Sequence, residues 1–290
     1  MKIVVCVKQI VHVYARTGMD PSTHFIAEED RVNIINPLDE VAVEQAVRLR
    51  EARGGEVILL TLGALIAEKG LRHCFAMGAD RMIRIDDSSL HGLDPWTTAV
   101  VLSAAIRKMS PDLVLCGKQA SDDRCGQVGV TIAEGLDLPC VCGITRLDLR
   151  DEGDGALVHR ALDRGDREVV ECPLPAVFTV ERGLNEPRYP RLERLLEAVE
   201  QDIECWDPGT LDIEASLTAP RTRVVKLTPP RPRTRKIAAP DRSLSAQDRV
   251  RMLMGGGAGR KRKEDAKLVE LPPRQAAEKA VEFLIERKLL

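Results

Sequence analysis

Between Asp112 and Val130 the chain gathers its densest set of groups suited to holding an anion. Leu113-Val114-Leu115-Cys116 is a short apolar strand, Gly117 opens a polar loop, and Gln127 to Leu136 has the spacing of an amphipathic helix. A strand, loop and helix in that order aim backbone N–H groups and a helix N-terminus at whatever lies above the loop. Gly126 and Gly129 allow a close backbone approach. Within the loop, Gln127 and the backbone of Gly126 and Val128 suit a phosphate. The carboxylates of Asp122 and Asp123 suit ribose hydroxyls and repel phosphate unless the helix N-terminus offsets them. The competing reading is an ordinary strand-to-helix connection capped by Asp122 or Asp123. Asn36, just before Pro37, carries two donors and one acceptor that match an adenine edge or a ribose; it is equally a turn residue. No catalytic constellation accompanies these groups. The histidines His12, His24, His73, His91 and His159 are scattered, and none sits in a nucleophile motif. The chemistry expected is binding rather than bond making.

The elements that must position this loop follow from periodicity. Ile3 to Val7 is an unbroken apolar run, the pattern of a strand buried on both faces. Ile10 to Asp30 is a long polar connection. Asp39 and Glu40 put negative charge at the start of a helix that runs to Gly54-Gly55. Val57 to Leu62 is a second strand, Ala64 to Met77 a second helix and Met82 to Ile85 a third strand. Asp94-Pro95 opens a third helix. Strands thus alternate with helices up to Leu136, the signature of an α/β fold on a mostly parallel, doubly wound sheet. Its strand-following loops, Lys8-Gln9, Gly63-Ala64, 86–94 and 117–126, open on one edge, where such sheets bind ligands. No Gly-x-Gly-x-x-Gly follows the first strand, so the usual dinucleotide fingerprint is missing. Beyond Leu138 the pattern changes to short strands over 141–149, 156–161, 168–171 and 176–180, with Gly153-Asp154-Gly155 as a hairpin turn. Pro190 to Val199 reads as an amphipathic helix with Leu192, Leu195, Leu196 and Val199 on one side. After Asp202 the chain is Pro-rich and basic, with helices expected over 245–254 and 274–287. The domain reading is residues 1–202 as the binding domain and 203–290 as an extended C-terminal arm.

Bulk properties exclude several classes. A net charge of -2 gives no bulk attraction to nucleic acid or membrane, and 3% aromatics is too few for a base-stacking platform. Charges interrupt every apolar run before membrane-spanning length, so the chain is not expected to be membrane-embedded. Met1 leads straight into a strand with no signal-peptide pattern. Several of the eight cysteines sit in apolar strands, which points to a reducing, cytoplasmic setting. Cys140-Val141-Cys142 has no second pair at metal-ligand spacing, and residues two apart on a strand share a face by geometry.

The loop also resembles a known family. Gly117-Lys118-Gln119-Ala120-Ser121-Asp122-Asp123-Arg124-Cys125-Gly126-Gln127 resembles the nucleotide loop of the beta subunit of electron transfer flavoproteins, which include the FixA-type proteins. Val7-Lys8-Gln9, Asn36-Pro37-Leu38-Asp39-Glu40-Val41-Ala42-Val43-Glu44, Ala76-Met77-Gly78-Ala79-Asp80-Arg81 and Leu184-Asn185-Glu186-Pro187-Arg188-Tyr189 resemble its other motifs. The five occur in family order over 1–200.

The resemblance implies an adenine-nucleotide alpha-hydrolase-like α/β fold and an electron carrier, not an enzyme. The carrier would be a heterodimer with an alpha subunit that holds most of the redox-active FAD. The beta site would hold AMP through Cys6, Asn36, Pro37, Leu38, Asp39, Leu62 and Gly117 to Val128. Gly126 stands where the AMP type commonly has Asn, so backbone donors replace a side chain there. Relatives with a second FAD in this subunit show Asp-Thr-x-x-Thr at 94–98; here Asp94 and Thr98 are kept and Pro95 replaces the first Thr, leaving AMP and a second FAD both open. Leu184 to Tyr189 would start the partner-recognition loop, with Leu192 as its anchor, for an acyl-CoA dehydrogenase-type flavoenzyme. Glu197, Glu200 and Asp202 stand where the family often carries lysines. Electrons would pass to a quinone- or ferredoxin-linked acceptor. The alternative from another class is a stand-alone adenine-nucleotide sensor or hydrolase of the same architecture.

Overall fold

The structure, a computed structural model, describes residues 1–12, 31–86, 93–150, 154–213, 219–223, 225, 245, 247 and 271–286. Most of the connection expected over 10–30, the Gly153 end of the hairpin turn, the Pro-rich run at 229–233 and most of the helix expected over 245–254 lie outside the described residues. Met1–Thr228 form one compact unit and Pro229–Leu290 another. In the second unit the helix expected near the C-terminus spans Pro273–Glu286.

The first unit is built on β1 (Lys2–Cys6). Its alternate residues enter two different cores. Ile3 and Val5 join Val41, Ala42 and Ala46 of α1 (Pro37–Arg53) and Leu71 and Phe75 of α2 (Glu68–Ala76). Val4 and Cys6 join Ala99, Leu102 and Ile106 of α3 (Pro95–Met109) and Ile132 and Ala133 of α4 (Val128–Leu136). Burial on both faces is why this strand has no polar alternation. Each fully buried aliphatic side chain contributes roughly 1.5–3 kcal/mol, so the centre of the sheet is the most strongly held part of the fold.

The remaining strands are β2 (Gln9–Val11), β3 (Asn33–Ile35), β4 (Glu56–Leu62), β5 (Arg81–Ile85), β6 (Leu113–Gly117), β7 (Cys140–Leu149), β8 (Gly155–Ala161), β9 (Arg167–Pro173), β10 (Ala176–Val180) and β11 (Glu204–Trp206). Nine of the strands form one sheet in the order β11-β5-β4-β1-β6-β10-β7-β8-β9, and β2 pairs with β3. The pairs from β11 to β7 are parallel, and β8 and β9 continue the sheet antiparallel. Two findings go beyond the expected alternation. β10 returns across the sheet and inserts, wholly buried, between β6 and β7. β11, just after Asp202, adds to the far edge beside β5.

The order of winding reverses at β1: β4 and β5 lie to one side and β6 to the other. At such a reversal the connecting helices leave on opposite faces of the sheet. A crevice then opens beyond the carboxyl ends of the two central strands.

Candidate functional site

That crevice is a cavity of about 260 Å³, bounded by the residues after β1 and β6 and by the starts of α1, α3 and α4. Asp39, in the first turn of α1, ties its walls together. Its Oδ2 accepts from Lys8 N at 2.8 Å, and its Oδ1 accepts from Gly117 N at 3.1 Å and from Asn36 Nδ2 at 2.9 Å. One buried carboxylate thereby satisfies the first free N–H beyond β1 and the last N–H of β6. Burial pushes its pKa up to about 7, against donors from Asn36, Lys8 and Gly117 that favour the ionised form. Asn36 is 1% exposed. Its Nδ2 also donates to Gln119 O at 3.1 Å, and its Oδ1 accepts from Ser121 N and Oγ at 3.2 Å. Its amide builds the loop from behind, so the donors expected for an adenine edge are already engaged. Gly117 is required: a Cβ there would strike Asp39 Oδ1 and lie 3.0 Å from Leu38 Cβ.

The polar loop is held by charge. Lys8 Nζ bridges Asp122 Oδ1 at 3.0 Å and Asp123 Oδ2 at 2.8 Å, so the two carboxylates expected at ribose hydroxyls carry a lysine between them. Arg124 N donates to Ala120 O at 3.0 Å with Arg124 at φ 54°, and Gly126 follows at φ 64°. These two left-handed residues turn the chain into α4, whose first-turn N–H groups have no carbonyl of their own helix to reach. Gln127 occupies the cap position without a side-chain cap bond. Gly129 lets α4 lie against Thr179 Cγ2 and Cys116 of the sheet.

Asp94 closes the α3 side. Its Oδ1 accepts from Thr97 N at 2.8 Å, capping the helix, and its Oδ2 accepts from Arg221 N, Thr222 N and Thr222 Oγ1 at 2.8, 2.9 and 3.0 Å. Burial opposes ionisation, but the donors from Thr97 and Thr222 hold its pKa down to about 2. The Arg221 guanidinium lies 3.7 Å over the Trp96 ring. A segment 127 residues downstream is thus strapped over the start of α3.

On the opposite face of the sheet, residues 184–192 run from α1 to α5 (Leu192–Glu200). Asn185 Nδ2 donates to Val41 O at 3.1 Å and to Gln45 Oε1 at 3.2 Å. Arg188 pairs with Glu44 at 2.8 Å and Glu51 at 2.6 Å. Glu186 gives its carbonyl to Arg48, Pro187 is exposed, and Leu184 packs on the core. The outward residues are Tyr189, Leu192, Leu196 and Val199, which are 97, 68, 62 and 70% exposed. The apolar side expected for this helix exists, yet it faces out: among α5 residues only Ala198 is buried. The helix is held from beneath by Arg72, which donates to the carbonyls of Ala198, Val199 and Gln201, and by Arg194, which donates to those of Phe75 and Ala79.

Comparison with known proteins places the chain in a family. Residues 23–209 match the family model described as the electron transfer flavoprotein domain. The chain is 37% identical over 234 residues to the electron transfer flavoprotein subunit beta of Thermoanaerobacterium thermosaccharolyticum, covering 79% of this chain and 88% of that one. It belongs to the electron transfer flavoprotein beta-subunit family. It is also 37% identical over 236 residues to the caffeyl-CoA reductase-Etf complex subunit CarD of Acetobacterium woodii (79% and 88% covered), and 34% identical over 244 residues to Protein FixA of Azotobacter vinelandii (81% and 86% covered).

As a beta subunit of this family the chain serves electron transfer as a carrier subunit rather than as an enzyme, and the sensor or hydrolase alternative is set aside. Among the described residues no His, Cys, Asp and Glu group could hold a metal ion, and no helix is long and apolar enough to cross a membrane. Of the expected ligand residues, Cys6, Asn36, Asp39, Leu62, Asp94, Thr98, Gly117, Lys118, Gln119, Ala120, Asp123, Cys125, Gly126, Gln127 and Val128 line the cavity. Pro37, Leu38, Ser121, Asp122 and Arg124 are outside the lining and shape the loops beside it. Sequence reasoning missed the Lys8 bridge, although Lys8 stands directly after the first strand, and the Arg221–Thr222 strap, for which no local signal exists.

Proposed function

We propose that this beta subunit pairs with an electron transfer flavoprotein alpha subunit and holds AMP in the crevice between β1 and β6. The redox-active FAD lies mainly in the alpha subunit, with this chain forming one wall. When bound, the flavin supplies the electron-accepting and electron-donating chemistry, and the protein binds and tunes it. The outward face of α5 with Tyr189 and Leu192 receives an acyl-CoA dehydrogenase-type flavoenzyme, and electrons leave to a quinone- or ferredoxin-linked acceptor. A relative named as part of a caffeyl-CoA reductase complex is consistent with a donor that acts on CoA thioesters. Glu197, Glu200 and Asp202 beside that face favour a donor with a basic rim.

The observation that carries the choice of AMP is the size of the cavity. At about 260 Å³ it falls just below the range of pockets for drug-sized molecules, roughly 300–1,000 Å³. Asp94, the carboxylate that marks the second-flavin type, has both oxygens engaged by Thr97 and by the Arg221–Thr222 strap. The N–H groups of Val128 and Gly129 and the Gln127 side chain would hold the phosphate at the start of α4, where the helix dipole favours an anion. The apolar walls from Cys6, Leu62 and Leu102 suit the base.

Co-expression with the alpha subunit, followed by flavin and nucleotide quantification of the purified pair, tests this. One flavin and one AMP per heterodimer are expected. Two flavins would replace AMP by a second FAD, and a colourless, nucleotide-free pair would overturn the reading.

A further inference from the structure

Cys6, Cys116, Thr179 and Cys142 are register partners across β1, β6, β10 and β7. They form one row that starts at the cavity with Cys6 and Cys116 and leaves the deep core at its outer end. Cys6 and Cys116 are buried, whereas Cys142 and its neighbour Cys140 are partly exposed. The two sulfurs lie 3.8 Å apart on the same face of β7. Positions two apart on a strand are separated by about 6.6 Å at their Cα atoms, near the upper end of the roughly 4.4–6.8 Å that a disulfide spans, so closing a bridge draws the two Cβ atoms together toward about 3.5–4.5 Å. The strand is pliable here: Gly143 has φ +70°, and the pairing of β7 with β10 shifts register between Thr179 and Val180.

We propose that Cys142 and Cys140 form a reversible dithiol–disulfide modification site, with Cys142 the attacking sulfur and Cys140 the resolving one, oxidised by low-molecular-weight disulfides of the glutathione type. The surroundings fit these roles. The hydrogen bond shared with Cys140, another with Thr179, and the Arg160 and Lys118 charges together hold the Cys142 thiol down at about 6 despite partial burial. Cys140 is shifted upward by its bond to Cys142, by burial and by Cys172. Lys118 is itself ion-paired to Glu181 at 2.9 Å, which fixes its position beside Gly143. Among the described residues no third ligand completes a metal site here, so the pair is read as redox-active rather than metal-binding.

The exchange balances as follows. The Cys142 thiolate attacks one sulfur of the external disulfide, forming a mixed disulfide and expelling one thiolate. Cys140 loses its proton to solvent and attacks the Cys142 sulfur, expelling the second thiolate. The protein loses two electrons and two protons, and the external disulfide takes them up to become two thiols. A bridge near the upper limit of Cα spacing is easily reduced again, as regulatory disulfides are.

The test uses the full-length chain, purified under reducing conditions and equilibrated in glutathione redox buffers before acid quenching and peptide mass mapping. A Cys140–Cys142 bridge that dithiothreitol reverses is expected. Cys140→Ser is expected to stop at the mixed disulfide on Cys142, and Cys142→Ser to stay unmodified at Cys140. At pH 6 Cys142 should alkylate about tenfold faster in the native chain than in Cys140→Ser, because the hydrogen bond with Cys140 favours its thiolate. The midpoint of its alkylation profile should rise in Cys140→Ser. The proposal is overturned if native protein forms no such bridge, or if Cys142→Ser leaves Cys140 equally reactive toward the disulfide.

Discussion

The crevice between β1 and β6 and the outer face of α5 are built on opposite plans. In the crevice, polar groups from distant segments meet one another: Asp39 joins the ends of β1 and β6, Asn36 joins α1 to the polar loop, and Lys8 clasps Asp122 and Asp123. The cavity left between them is preformed. On α5 the polar work is done underneath, where Arg72 and Arg194 grip backbone carbonyls, and the apolar side chains are left in solvent. A small ligand needs fixed donors in a closed space, while a protein partner needs exposed apolar anchors on a support that does not yield. The preformed cavity lies at the carboxyl edge of the sheet, and the exposed apolar stripe lies on the outer side of α5, with α1 reaching both through Asp39 and Glu44.

The strongest way to break the contrast is at the crevice. Gly117→Ala should destabilise the fold by about 1–3 kcal/mol through overpacking against Asp39 and Leu38, abolish nucleotide retention, and leave α5 packing unchanged. Urea unfolding and nucleotide content of the purified protein check this. Asp39→Ala should cost a comparable amount, about 1–3 kcal/mol, since it strands the part-buried N–H groups of Lys8 and Gly117.

At the other face the effect should fall on partner kinetics alone. Leu192→Asp should weaken dehydrogenase docking by about 2 kcal/mol, roughly thirtyfold in KM for the carrier, as loss of a hot-spot anchor does. Its melting temperature should stay that of the parent protein. A drop in melting temperature would mean that Leu192 belongs to the core after all. Arg72→Ala should give a smaller, mixed result, because the carbonyls it caps at the end of α5 turn to water: about 1 kcal/mol of stability and a few-fold rise in KM.

How much of this was visible in the chain beforehand differs between the regions. The strand, loop and helix around Gly117 could be read because their signals are contiguous: an apolar run, a glycine break and an apolar period. Asp39 looked like an ordinary first-turn acid, since its partners Lys8 and Gly117 lie 31 and 78 residues away. The Asp94–Thr222 link spans 128 residues and has no local trace. Leu192, Leu195, Leu196 and Val199 follow the same spacing whether the stripe faces a core or a partner, so periodicity alone finds the stripe and not its direction. β10 was legible as a short strand but not as the buried one that slips between β6 and β7, which depends on the whole sheet.

The pH dependence of stability sharpens the comparison within the cavity itself. Asp39 is raised toward 7, so the native state binds the proton more tightly than the unfolded chain; its contribution is fullest below about pH 4 and is lost as pH rises through 7. Asp94 is lowered to about 2, so its contribution is present above about pH 4 and lost as pH falls through 2. Denaturant midpoints of the wild type and Asp39→Asn across pH 4–7 should diverge with that sign.

The most direct measurement is calorimetric titration of the nucleotide-stripped heterodimer with AMP and with adenosine. A phosphate held by the N-terminus of α4 adds charge-assisted hydrogen bonds, so AMP should bind about 10- to 100-fold more tightly than adenosine. Equal affinities, or no binding of either, would contradict the account.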